Sequence, residues 1–144
     1  MSATQTSPVQ LEPETLQVLQ DLGLADEVLG SRSLLDLEDD WDDEGSPGYA
    51  EATWNRAVEF LVRLVSRLKE EYGLRLSDTQ IMPGSYGNID IHLRMPRAEL
   101  WLSFPPSASA PPRYYAHDET ETRIAKGTLD PASPNLWLAA WLAE

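Results

Sequence analysis

The chain has no cysteine among its 144 residues. That excludes disulfides, thiolate chemistry and cysteine-based zinc sites. It is short of positive charge, with 11 Lys and Arg against 24 Asp and Glu, a net charge of −13. Direct nucleic-acid binding needs Lys and Arg against phosphates, so that balance argues against it. No apolar run approaches the length of a membrane span. The opening "MSATQTSPVQ" has no basic region followed by an apolar core, so a soluble, cytoplasmic protein without membrane contact is expected. Histidine is limited to His92 and His117. No G-x-S-x-G elbow surrounds Ser85 or Ser103, and no Gly-rich phosphate loop follows a strand.

At this length the chain forms one domain. Its charge is uneven. Residues 1–50 hold twelve acids and one base, Arg32, whereas the remainder is almost neutral. Residues 1–10 are small, polar and unpatterned, which predicts a disordered tail. Residues 11–144 then make a single α+β domain whose first part, 11–50, is an acidic helical region. Such an asymmetry suits a partner with a basic surface, including one that itself binds nucleic acid.

The spacing of Leu16, Val18 and Leu19 predicts a helix from Pro13 to a stop at Gly23. A further turn carries Leu24, Val28 and Leu29. Ser31 is expected to cap a short piece, Ser33 to Glu38, with Leu34, Leu35 and Leu37 inward. Over 51–72, Trp54, Ala57, Val58, Leu61, Val62, Val65, Leu68 and Tyr72 form a wide apolar stripe at helical period, closed by Gly73. The period then becomes two. "NIDIHLRM" and "AELWLSF" alternate apolar and polar residues across a tight Pro96-Arg97 turn. "TQIMPGSYG" reads as a strand before them, and "RYYAHD" with "TRIAKG" as a second hairpin across Asp118–Glu121. Ser133-Pro134 is expected to start a last helix bearing Trp137 and Trp141. The fold expected is an antiparallel meander of four or five strands with its apolar face under the long helix, plus short N-terminal helices and a C-terminal one.

The stretch "LEDDWDDEGSPGYAE" sets seven carboxylates around Trp41. As a calcium loop, Asp40, Asp42, Glu44 and Glu51 take positions 1, 3, 5 and 12, with Gly45 at 6. Pro47 at position 8 and a Glu at position 5 depart from that pattern. As a structural loop, Trp41 anchors the chain at the junction with Trp54, Asp42 accepts turn amides and Gly45 permits a positive φ. Asp39, Asp40, Asp43 and Glu44 are then left for a partner. On the sheet's outer face Asp90, His92, Arg94, Glu99, Trp101, Tyr115, His117 and Arg123 mix aromatic and charged groups, which suits a protein interface centred on Trp101 and Tyr115. A terminal helix covering part of this face, Trp101 included, is the competing expectation. A metal or acid/base pair from His92 and His117 requires their strands to be neighbours.

The segments "DWDDEGSPGYAEATWNRAVEFLVRL", "IMPGSYGNIDIHL", "LWLSF" and "YYAHDE…IAKG" resemble a family of small uncharacterised bacterial proteins. That family has a Trp-Asp-x-x-Gly loop before a long helix, then a proline, a Gly-containing turn and an antiparallel sheet. The resemblance covers about residues 34–127. Asp43 stands where the family has a small residue, and Ala50 where it has a capping serine. The resemblance implies an accessory protein, encoded beside defence or toxin genes, and brings no catalytic residue or cofactor with it. Together these readings lead to a non-catalytic acidic protein-binding module that meets its partner through the acidic N-terminal third, with the sheet face as the second surface: an antitoxin- or immunity-like inhibitor or a subunit of a defence complex. The calcium module and a small enzyme using His92 and His117 are the alternatives.

Overall fold

The structure, a computed structural model, describes residues 12–130 and 136–144. The tail expected over 1–10 and the cap expected at Ser133-Pro134 lie outside the described residues. Two short helices come first, α1 (Pro13–Leu22) and α2 (Ala25–Ser31), followed by a 3-10 turn at Arg32–Asp36. Pro13 opens α1, where a missing N–H costs nothing. Gly23 closes it at φ 76°, and the amides of Gly23 and Leu24 return to Gln20 and Leu19. Leu19, Leu24, Val28 and Leu34 are buried.

Helix α3 spans Glu51–Tyr72, the bounds its periodicity predicts. Its buried side is wider than the expected stripe, because Phe60 and Leu64 join it, while Tyr72 is exposed. Phe60 packs edge-on against Phe104 of the sheet, ring centroids 5.7 Å apart. Ser31 does not cap the piece that follows it. It is buried, donates its hydroxyl to Val28 O at 2.6 Å and accepts the Trp54 indole N–H at 2.8 Å. This relay ties α3 to α2 and gives the buried indole the partner its N–H requires.

Five strands follow: β1 (Asp78–Pro83), β2 (Ile89–Arg94), β3 (Ala98–Phe104), β4 (Arg113–Asp118) and β5 (Ile124–Thr128). They form one antiparallel meander in chain order. The alternation is read correctly from the sequence: Ile89, Ile91, Leu93, Leu100, Leu102, Phe104 and Ala116 are all buried on one face. The turn between β2 and β3 is tight, with Met95 N–H bonded to Ala98 O at 2.8 Å, and it fixes the pairs Arg94↔Glu99 and His92↔Trp101. Helix α4 (Leu136–Ala143) docks on the body beside α3, burying Leu138, Ala139 and Leu142. The Trp137 ring lies 5.3 Å from Tyr114, and Arg123 sits 4.5 Å over the Trp141 ring and 3.2 Å from the Glu144 carboxylate.

The architecture is therefore α+β in two layers, with the main apolar core between α3 and the inner sheet face. Among the described residues no helix is long and apolar enough to cross a membrane. One core position is poorly matched: the Thr53 hydroxyl, in the first turn of α3, is buried without a hydrogen-bond partner among the described residues. Replacing it with an isosteric methyl removes an unmet polar group, so Thr53→Val is expected to raise stability by about 1 kcal/mol. The urea midpoint measures this, and a lower midpoint would show that the hydroxyl has a partner.

Candidate functional site

The acidic loop between the 3-10 turn and α3 is built from its own hydrogen bonds. Asp40 and Asp43 both take left-handed backbone angles, φ 65° and 60°, as does Gly45 at 81°. Short polar side chains tolerate that region because they can bond locally, and they do so here. Asp39 Oδ1 accepts the Gly48 N–H at 2.9 Å and Asp40 Oδ1 accepts the Gly45 N–H at 2.7 Å. Asp42 Oδ1 accepts the Glu44 N–H at 3.0 Å and the Ser46 N–H at 3.3 Å, and its Oδ2 accepts the Ser46 hydroxyl. That hydroxyl bond, aided by the two amides and opposed by lost hydration, holds the Asp42 carboxyl below its ordinary value.

One expectation for this loop is corrected, and one alternative finds no support. Trp41 is 38% exposed and does not pack against Trp54. Its ring tilts against Tyr49 at 6.1 Å, and its N–H donates to Pro47 O at 3.1 Å. The calcium loop of Asp40, Asp42, Glu44 and Glu51 is not assembled either. Asp40 and Asp42 turn carboxylate oxygens toward loop amides, and among the described residues no three acidic or histidine side chains are grouped to hold a metal ion. Of the four acids expected to be free for a partner, Asp39 and Asp40 each commit one oxygen to the loop. Asp43 and Glu44 are exposed.

The outer sheet face is the second candidate. Trp101 is 41% exposed and Tyr115 is 38% exposed, so the expectation that a helix buries Trp101 is not met. The described helices pack on the inner side of the sheet, where strand alternation put the apolar residues. Trp101 and Tyr115 are direct partners on β3 and β4. The indole stacks flat on His92, with ring centroids 3.7 Å apart and planes 7° from parallel. His92 is therefore 9% exposed and not the surface histidine its outward position suggested.

His92 Nε2 donates to Glu99 Oε1 at 2.8 Å, and the other oxygen, Oε2, lies 3.6 Å from His117 Nε2. The second ring nitrogen of His117, Nδ1, donates to the Asp118 carbonyl at 2.8 Å. Arg94 Nε is 4.0 Å from the same Glu99 carboxylate. The two histidines are not on neighbouring strands: β3 runs between them, and Glu99 fills the gap. The Glu99 carboxylate therefore lies between the two imidazoles, hydrogen-bonded to His92 and 3.6 Å from His117. Ser103 has no histidine partner. Its hydroxyl donates to Asp90 Oδ1 at 2.7 Å and accepts from Asn88 Nδ2 at 3.2 Å.

Glu99 as the partner of His92 was missed in the sequence. The signal was present, because a two-residue turn at Pro96-Arg97 sets Glu99 beside Arg94 and diagonal to His92. Elsewhere, a cleft of about 550 Å³ opens between α1, α2, the end of α3 and β1, lined by Asp21, Asp26, Glu27, Lys69, Arg75 and Asp78 among others. It contains no histidine and lies apart from the aromatic face.

Compared with protein-family models, with curated proteins and with solved structures, the chain matches none significantly.

Two expectations follow from this geometry. Millimolar calcium should leave the melting temperature unchanged, since a ligand that bound only the native loop would raise it. A calcium-dependent rise reversed by EDTA would overturn the description of the loop. Asp118 generates the second. Lost hydration alone would raise its carboxyl. The amides of Arg123 and Thr122 and the hydroxyls of Thr122 and Thr120 outweigh that loss and bring it from 3.8 down to about 2. A carboxyl depressed on folding contributes stability that is whole above 3.8 and is lost as the pH falls through about 2. Protection of the Thr122 and Arg123 amides, taken relative to their intrinsic exchange, should therefore fall over that acid range, and Asp118→Asn should remove that change in protection. Unchanged protection down to the lower limit would contradict the assignment.

Proposed function

We propose that this chain is a non-catalytic protein-binding module and that the open sheet face is its principal binding surface. The observation that carries the reading is the Trp101–Tyr115 pair, two large aromatic side chains exposed side by side near the centre of the sheet. Trp and Tyr supply much of the binding energy of protein interfaces, especially at the centre of a patch. Around them stand Arg94, Glu99, Arg113 and Lys126, charges of both signs of the kind that form the polar rim of such a patch. Trp101 is also held flat by His92, which lowers the entropy lost when a partner covers it.

Several features support a non-catalytic role. The histidines are engaged with Glu99 and with a backbone carbonyl, and the Ser103 hydroxyl with Asp90 and Asn88. The acidic region is assigned a different task. Asp43 and Glu44, with the charge of Asp39 and Asp40 behind them, attract a basic surface and speed the encounter. The partner proposed is accordingly a protein with a basic surface, of the sort that itself handles nucleic acid. The class is an antitoxin- or immunity-like inhibitor or an accessory subunit of a bacterial defence complex. The reading requires no cofactor, no direct nucleic-acid contact and no membrane.

The test is to capture the partner from the native host and measure its affinity for folded variants. Trp101→Ala is expected to weaken binding by roughly thirtyfold, mainly through faster dissociation. Asp43→Asn with Glu44→Gln should instead slow association and flatten its salt dependence. Wild-type affinity in both Trp101→Ala and Tyr115→Ala would move the interface away from the sheet face.

A further inference from the structure

The two edges of the sheet are treated differently by the chain. On β1 the Gly84 N–H bonds to Asn88 O, so even-numbered residues face β2 and odd-numbered ones face outward. Of those, Ile81 gives its N–H to Glu27 Oε2 at 2.8 Å, Pro83 has no N–H, and α2 lies alongside. Over Ile81–Pro83 this edge is blocked by the chain itself. On β5 the bonds from Asp118 N–H to Arg123 O and from Leu129 N–H to Pro112 O direct odd-numbered residues at β4. Ile124, Lys126 and Thr128 thus turn their backbone N–H and C=O groups outward. Among the described residues nothing meets them, and the Ile124 side chain is 54% exposed.

We infer that the β5 edge receives an extended segment of another protein as an added strand, one that carries a carboxylate opposite Lys126. The inference rests on the protein-binding reading and gives it a mode. Main-chain pairing with an exposed edge is a recurrent way to capture an extended segment, with side-chain complementarity supplying the choice. The outer faces of β4 and β5 present Arg113, Tyr115, His117, Ile124, Lys126 and Thr128, two permanent bases and no acid on a strongly acidic protein. An opposed carboxylate meets Lys126 favourably, as cross-strand pairs of opposite charge do. A second copy of the chain fits worse, because two β5 strands paired about their middle residue set Lys126 against Lys126.

The probe is a capped peptide, Val-Thr-Val-Glu-Val-Thr-Val, added to the full chain and followed by amide exchange and NMR shifts. Its counterpart with Lys in place of Glu serves as the comparison. The Glu peptide should slow exchange at Ile124, Lys126 and Thr128, and the Lys peptide should bind roughly threefold more weakly or worse. Lys126→Pro removes a donor that faces away from β4, so it should abolish binding while the sheet persists. Should that variant not fold, Lys126→Glu decides, since it should reverse the preference between the two peptides. Shifts confined to other surfaces, an unchanged preference in Lys126→Glu, or a dimer whose β5 amides are protected without peptide would each overturn the inference. Retained affinity of the captured partner for Lys126→Glu, with loss in Trp101→Ala, would leave the sheet-face reading standing and remove the edge alone.

Discussion

The structure depends on a constraint of pleated strands: successive side chains point to opposite faces, so a sheet with one helical layer can bury only one of them. Helix α3 supplies most of that layer, with nine buried residues from Thr53 to Leu68 along one side. α4 docks beside it, and the relay from Trp54 through Ser31 to Val28 attaches the N-terminal helices to the same layer. With the helices on the inner face, the outer residues of β2, β3 and β4 had to satisfy one another. They do so by stacking Trp101 on His92 and by bonding the His92 imidazole to the Glu99 carboxylate.

The strong negative charge also has an internal use. Asp39, Asp40 and Asp42 accept amides of the loop that leads into α3, Asp118 accepts amides in the β4–β5 turn, and Glu27 accepts an edge amide of β1. A carboxylate offers several acceptor positions and no donor, which suits it to turns where backbone N–H groups converge. Part of the acidity is therefore architectural. In the loop, Asp42 and one oxygen each of Asp39 and Asp40 point at groups of the loop itself. What is left for a partner is Asp43, Glu44 and the general field of the N-terminal region.

Repetition made much of the fold legible. The stripe on α3 and the alternation in β2 and β3 recur over enough residues that each position is tested by its neighbours. Single positions were harder. Trp41 was expected to anchor the loop at the junction with Trp54, yet a loop closed by Asp40 and Asp42 leaves it beside Tyr49 at the surface. Ser31 looked like a cap because it precedes a helical turn, whereas a tryptophan 23 residues away engages its hydroxyl. Of the candidate site, the outward placement of Trp101 and Tyr115 could be read. The burial of His92 could not, since it requires one side chain to lie over another.

The sequence by itself determined the elements, their faces, the single tight turn and the concentration of charge near the front of the chain, because each of these is set by spacing among near neighbours. Tertiary structure alone decided which groups meet. Strand order set β3 and Glu99 between His92 and His117, packing of α2 brought Glu27 to the β1 edge, and helices confined to one side left Trp101 and Tyr115 uncovered. Those outcomes depend on distances between residues far apart in the chain and on the rotamers they adopt, which no local period encodes.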